Sequence, residues 1–133
     1  MSTRSNIAVR KSDGTIKVIY CHFDGYVEGV GQTLLEHYNE WSKADELTGL
    51  GDISALEPTI KETEARSYKK RGEKDVDARY YKSYDEYRDD ADTIWIEYIY
   101  IFDEIENAWF MAFPEFIKLE DVMKAKEVRK CWQ

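Results

Sequence analysis

The amino-acid sequence predicts an α+β fold, in which an antiparallel sheet of about four strands carries helices packed on one face. Two observations favour this fold. Alternating apolar and polar residues, typical of strands, occur near the start of the chain and again after residue 93, and helical spacing dominates between them. The length of 133 residues is that of one domain, so we assign residues 1–133 to a single domain.

The first element is a predicted β-hairpin. Residues 5–11 and 15–23 both alternate as strands do, and the polar segment 12–15 separates them. This segment contains Asp13-Gly14, and Asp-Gly between two such runs is a strong hairpin signal because glycine accepts a positive φ.

Two helices and a further helical turn are predicted next. The helix beginning near Gln32 has its apolar side chains at helical spacing, namely Leu34, Leu35, Tyr38 and Trp41. Ser42 to Asp45 resembles a capping box and predicts a second helix. Residues 52–56 are expected to add one more helical turn before Pro58.

The second half begins with residues 59–79, which are highly charged and predict a long, partly ordered excursion. Ser83 and Glu86 form a second capping-box pattern, which predicts a short helix to about Asp92. Residues 93–102 are apolar on both faces and predict the central strand. A turn at 103–107, a strand at 108–113 and a helix at 119–130 complete the order.

Acidic residues are concentrated in one window. The formal net charge is −8, and residues 85–106 hold nine acids against one base, Arg88. This field argues against nucleic-acid binding and suits a basic protein surface or a metal cation, although a solvated face that maintains solubility has the same composition. The candidate binding residues of this acidic surface are Asp85, Glu86, Asp89, Asp90, Asp92, Asp103, Glu104 and Glu106.

A second candidate pocket follows the hairpin. Its residues are His22, Asp24, Tyr26 and Glu28. His22 and Asp24 are two apart and could share a strand face, where Asp24 would orient His22 as a general base or metal ligand. Cys21 points to the other face and cannot pair directly with His22. The alternative is that these residues only complete a strand end and a turn.

The glycine-rich segment 25–31 leads into a predicted helix and could offer backbone amides to an anion. Its spacing matches neither phosphate-binding glycine motif, so a tight strand-to-helix turn is the simpler interpretation. Cys21, Cys131 and the two histidines do not have the spacing of a zinc site, and we expect no cofactor.

The sequence also bears on location. The polar first residues are unlike a signal peptide, and the longest apolar stretch, 94–102, is too short for a bilayer. Two widely spaced cysteines suit a reducing compartment, so we expect a cytoplasmic protein. Exposed aromatic residues on an edge strand could pair two copies of the chain as a homodimer. The aromatic residues that could form a core, a pocket or such an interface are Trp95, Tyr98, Tyr100, Trp109, Phe110 and Phe113.

Much of the chain resembles a family of small bacteriophage and prophage proteins. The matching pieces are Ser2–Ile7, Asp13-Gly14, Ile19–Tyr26, Glu28–Gly31, Leu34–Tyr38, Leu50–Ser54, Ala78–Tyr81 and Glu97–Tyr100. Phe23 and Val27 stand where that pattern has Trp and Pro. The resemblance implies a phage-related gene expressed in a bacterial cytoplasm, and it implies neither an activity nor a site residue.

Three function classes follow from these observations. The leading one is an accessory phage protein that binds and inhibits a host protein with a basic surface, such as a component of antiviral defence, in the manner of an anti-CRISPR protein. The second is a binder of a small molecule or nucleotide signal at the glycine turn. The third is an enzyme that uses His22 with Asp24, or Cys21, but the sequence supplies no recognisable motif for it.

Overall fold

The computed structural model describes residues 2–132, with side chains described through residue 127. Within these residues the strands are β1 (Ser5–Arg10), β2 (Ile16–Cys21), β3 (Arg79–Tyr81), β4 (Tyr98–Asp103), β5 (Ala108–Phe113) and β6 (Ile117–Lys118). The helical elements are a π-helical turn (Val27–Gly31), α1 (Gln32–His37), α2 (Trp41–Thr48), α3 (Ile60–Glu64), α4 (Tyr84–Asp90) and α5 (Leu119–Trp132). The predicted α+β class is therefore confirmed.

The sheet is larger and more mixed than the sequence predicts. Its strand order is β3-β2-β1-β4-β5-β6, and every neighbouring pair is antiparallel except β1 and β4, which are parallel. The prediction of about four antiparallel strands missed β3 and β6, because three and two residues are too short to show alternation. It missed the parallel pair because alternation within a strand carries no information about the direction of its neighbour.

The N-terminal hairpin forms as predicted. Ile7 pairs with Ile19, and the turn closes through a 2.9 Å hydrogen bond from the Lys11 amide to the Thr15 carbonyl. Gly14 has a φ of 92°, the left-handed conformation that makes glycine the favoured residue there.

The main core lies on one face of the sheet, beneath the π-helical turn, α1, α2 and α5. Its largest buried members come from the strands, the helices and the segments between them: Ile7, Ile19, Leu34, Tyr38, Leu47, Ile53, Tyr100, Phe102, Trp109 and Leu119. Burial of these side chains supplies most of the hydrophobic stabilisation on this face.

A second, smaller core covers the opposite face, so the prediction that all helices pack on one face was wrong. Tyr87 of α4 and Ile96 pack there against Ile99 and Ile101 of β4. The physical reason lies in β4 itself, which is apolar on both faces and must be covered on both.

Three local predictions also need correction. The stripe from Leu34 to Trp41 spans two helices, because α1 ends at His37 and the Tyr38 carbonyl accepts a 2.9 Å hydrogen bond from the Trp109 indole. Ser42 is not the cap of α2, which begins at Trp41. Residues 52–56 are not helical; Ile53 instead forms bridges to Cys21 and Ser67.

The strand predicted for residues 93–102 begins only at Tyr98. Residues 92–96 form a turn, closed by a 2.9 Å hydrogen bond from the Ile96 amide to the Asp92 carbonyl.

The charged excursion 59–79 contains α3 and the start of β3. Its carbonyl at Val76 accepts a 2.7 Å hydrogen bond from the Asp52 amide, which ties the excursion to the preceding segment. None of the helices within residues 2–132 is both long enough and apolar enough to cross a lipid bilayer.

Candidate interaction surface

The short helix α4 carries most of the predicted acidic residues, and the sequence fixes where it starts. The Ser83 hydroxyl accepts a hydrogen bond of 3.1 Å from the Glu86 amide, as the capping-box pattern predicts. Tyr87 is 1% exposed and anchors the helix on the sheet, where its hydroxyl accepts a 2.7 Å hydrogen bond from the side-chain amide of Asn6. Burial raises the pKa of Tyr87, so this hydroxyl stays neutral.

The first group of acids lies on α4 and just after it, and all its members are exposed: Asp85, Glu86, Asp89, Asp90 and Asp92. Two of them also make local contacts. The Asp90 carboxylate accepts a hydrogen bond from the Tyr81 hydroxyl, and the Asp92 carboxylate accepts one of 3.1 Å from the Ile94 amide. Burial and the Asp90 carboxylate together raise the pKa of Tyr81 to about 12.

The second group, Asp103, Glu104 and Glu106, organises the turn between β4 and β5. Asp103 accepts hydrogen bonds of 2.9 and 3.0 Å from the Ile105 and Glu106 amides, and its other oxygen lies 3.6 Å from Arg10. Glu104 accepts a 2.7 Å bond from the Ser12 amide. Asp103 and Glu104 therefore have structural roles, whereas Glu106 is exposed.

A cavity of about 220 Å³ joins the two acidic groups. Asp85 comes from the first group and Asp103 from the second, and the remaining lining residues are Arg10, Ser83, Tyr84, Ile101, Phe110 and Phe116. We call the eight predicted acids, together with this cavity, the acidic face.

Large apolar side chains stand exposed in the turn that follows α4. Ile94 is 88% exposed and Trp95 is 60% exposed, although Ile96 in the same turn is buried. The Arg4 guanidinium lies 5.4 Å from the centre of the Trp95 ring. Exposed apolar groups rimmed by polar residues are typical of protein interfaces.

The second candidate pocket does not assemble the dyad that the sequence suggests. The His22 ring nitrogens contact the Tyr20 hydroxyl at 2.6 Å and the Ser2 hydroxyl at 3.1 Å. Asp24 has a φ of 57° in a turn, and its carboxylate accepts a 3.3 Å hydrogen bond from the Tyr26 hydroxyl instead. His22 is thus held by hydroxyl groups rather than by Asp24.

The other members of that pocket serve local structure. Glu28 is 3.2 Å from the Lys126 ammonium. The Gly25, Gly29 and Val30 amides donate to backbone carbonyls, so they are already used and do not form an anion cradle. A Cβ on Gly29 would lie 2.3 Å from the Asp24 carbonyl oxygen, which explains why the tight turn needs glycine there.

The remaining chemical candidates are buried or dispersed. Burial raises the pKa of the Cys21 thiol to about 12, which keeps it protonated and a poor nucleophile. The Cys131 side chain lies outside the described residues. Among the residues whose side chains are described, no three His, Cys, Asp or Glu groups are placed to hold a metal ion.

Sequence reasoning identified the acids but not the cavity between them. Phe110 was in the predicted aromatic set, in which Tyr100 and Trp109 prove to be buried core residues. Arg10, Tyr84 and Phe116 were not predicted. Arg10 reaches the cavity because it is the register partner of Asp103 in the parallel β1–β4 pair, a relationship that no local pattern shows.

Comparisons of the chain with protein-family models, with curated proteins and with solved structures found no match.

Proposed function

We propose that this chain is a phage-encoded accessory protein that acts in the bacterial cytoplasm by binding a host protein through the acidic face and inhibiting it. The observation that carries the proposal is the exposure of Ile94 and Trp95, 88% and 60%, in the turn that follows the acids Asp89, Asp90 and Asp92 and is hydrogen-bonded to Asp92. When a partner covers a large apolar side chain that was exposed to water, removal of its surface from water lowers the free energy of the complex.

The two kinds of residue would have different roles in binding. The carboxylates accelerate association with a positively charged partner, because complementary charge steers the encounter. Trp95 supplies the desolvated contact that slows dissociation, since tryptophan is among the residues that most often dominate interface energies. The expected partner is therefore a protein with a surface rich in Lys and Arg, and its function is blocked by occlusion of that surface.

The experiment is native mass spectrometry of the tagged protein purified gently from an infected bacterial culture. We expect one co-purifying protein at fixed stoichiometry, released as the salt concentration rises. The triple variant Asp89→Lys, Asp90→Lys and Asp92→Lys should abolish its capture. The purified partner should also lose its own activity when the parent protein is added, and not when the variant is added.

A matched control separates the acidic face from net charge alone. Glu46, Glu64 and Asp121 are exposed acids on α2, α3 and α5, away from α4. Replacing these three with Lys changes the net charge by the same amount and should leave capture intact. Equal loss of binding in both triple variants, or undiminished binding in the α4 variant, would contradict the proposal.

A further inference from the structure

We infer that the cavity between the two acidic groups is a socket for a single arginine side chain of the partner. This inference rests on the proposed function, because it names the group on the basic partner that the acidic face recognises. It depends on three properties of the cavity: its aromatic walls, its carboxylates and its size.

The aromatic walls come from three segments of the chain: α4, β5 and the connection between β5 and β6. The Phe110 and Phe116 rings lie 5.5 Å apart between centroids, with 32° between their planes. Tyr84 meets Phe116 edge-on at 5.9 Å. Phe116 is 59% exposed, so part of its ring is open to a ligand. Ring faces attract cations, and a planar guanidinium can also stack on them.

The carboxylates lie at the same cavity. Among the residues with described side chains, none forms a hydrogen bond or ion pair with Asp85, so its carboxylate is available to accept one. Asp103 is different, because its side chain is only 16% exposed and is already engaged by Arg10 and the turn amides. Asp85 is therefore the group expected to form the ion pair with the incoming side chain, while Asp103 adds negative potential.

The size of the cavity favours one side chain over a free metabolite. Its volume of about 220 Å³ is below the roughly 300–1,000 Å³ of pockets that hold drug-sized ligands. The lining residues carry two carboxylates and one guanidinium, that of Arg10, and this balance opposes an anionic ligand such as a nucleotide. A second guanidinium, that of Arg88, is engaged by the Tyr84 hydroxyl at 3.2 Å. Arginine satisfies the aromatic walls and the carboxylate together, because its flat cation can stack and donate hydrogen bonds in its plane.

The test uses short blocked peptides, Gly-Arg-Gly, Gly-Lys-Gly and Gly-citrulline-Gly, titrated into the full chain at low salt and followed by NMR. Citrulline has nearly the shape of arginine but no charge. We expect the arginine peptide to shift the ring signals of Tyr84, Phe110 and Phe116 and to bind at least fivefold more tightly than either other peptide. Equal affinity for the lysine peptide would overturn the arginine assignment, and equal affinity for citrulline would overturn a cation site.

Two variants with one control locate the binding. Phe116→Ala and Asp85→Asn should each weaken the arginine peptide at least threefold. Asp89→Asn removes the same charge one turn along α4, outside the cavity, and should have a smaller effect. If Asp85→Asn and Asp89→Asn weaken binding equally, the socket is wrong.

The socket and the proposed function can fail separately. Failure of the peptide test leaves partner capture by the α4 acids unaffected. If partner capture instead survives the triple charge reversal on α4, the proposed function fails whatever the peptides show.

Discussion

The Asn6 side-chain amide donates a 2.7 Å hydrogen bond to the Tyr87 hydroxyl across 81 positions of sequence. Both residues are buried, Asn6 at 8% and Tyr87 at 1% exposure. This bond joins the centrally placed strand β1 to the acidic helix α4. The same contact therefore contributes both to the stability of the fold and to the position of the α4 carboxylates.

The first prediction tests this contact with Tyr87→Phe, which removes the hydroxyl but keeps the ring. The free energy of unfolding should fall by about 1–3 kcal/mol, because the Asn6 amide is left buried without its acceptor. Urea unfolding followed by circular dichroism measures the change. The double variant Asn6→Ala/Tyr87→Phe should lose less free energy of unfolding than the sum of the losses in the two single variants. If the losses are simply additive, the hydrogen bond contributes nothing.

The second prediction concerns Trp95, which is 60% exposed and lies beside Asp92. Trp95→Ala should weaken capture of the partner at least tenfold while changing the free energy of unfolding by less than about 1 kcal/mol, since more than half of the residue is already exposed to water. Titration of the purified partner over the immobilised protein measures the affinity.

Tyr80 provides the matched control for Trp95. It is another exposed aromatic residue, 68% accessible, on the edge strand β3. Tyr80→Ala should leave capture unchanged. If Tyr80→Ala weakens capture as much as Trp95→Ala does, the contact surface is not centred on Trp95.

The sequence was informative where a local pattern determines the structure. Asp13-Gly14 predicted the hairpin, and Ser83 with Glu86 predicted the start of α4, because both signals depend on residues only a few positions apart. The acids of α4 were recognised for the same reason. The four residues of the second candidate pocket are also near one another in the chain, yet their hydrogen bonds form with other partners.

What the sequence could not show depends on contacts between distant segments. Alternation continues through Ile94 and Ile96, yet the chain turns there and exposes Ile94 while burying Ile96. The cavity is likewise made by segments near residues 10, 84, 103 and 116, which only the strand order brings together. Apolar spacing indicates which residues prefer burial, but it does not give the partner that buries them.

The third prediction concerns the buried ammonium of Lys17. Its side chain is 8% exposed and its Nζ donates to the Asp45 carboxylate at 2.7 Å and to the Asp45 carbonyl at 2.9 Å. Asp45→Ala should lower the free energy of unfolding by about 1–3 kcal/mol. The loss is smaller than that expected on breaking a fully buried ion pair, because the Asp45 side chain is 45% exposed. The double variant Lys17→Met/Asp45→Ala should be more stable than Asp45→Ala alone, because no unpaired charge stays buried. Equal stability of the two variants, measured by urea unfolding, would contradict this account.

The fourth prediction is that the protein loses stability at alkaline pH. Burial raises the pKa of Cys21 from 9.0 to about 12, and it also raises the pKa of Tyr87 and of Tyr100. All three groups are neutral when protonated, so the folded state holds protons that the unfolded chain releases. The contribution of these three groups to the free energy of unfolding is fully present below pH 9, and it is lost as the pH rises toward 12 and beyond. Each group can lower the free energy of unfolding by up to about 1.4 kcal/mol per pH unit within its window.

Cys21→Ser separates the thiol from the tyrosines, because the thiol has the lowest unfolded pKa and titrates first. Under reducing conditions, the variant should show a shallower decline between pH 9 and 10 than the parent, whatever its stability at pH 8. The difference between the two slopes should persist up to about pH 12, because over this range the folded protein holds the Cys21 proton that the unfolded chain has released. The tyrosines add the same slope to both proteins. Identical slopes between pH 9 and 10 would mean that the folded protein lets the Cys21 thiol ionise as readily as the unfolded chain does, and hence that this end of β2 opens to water before the rest of the sheet unfolds.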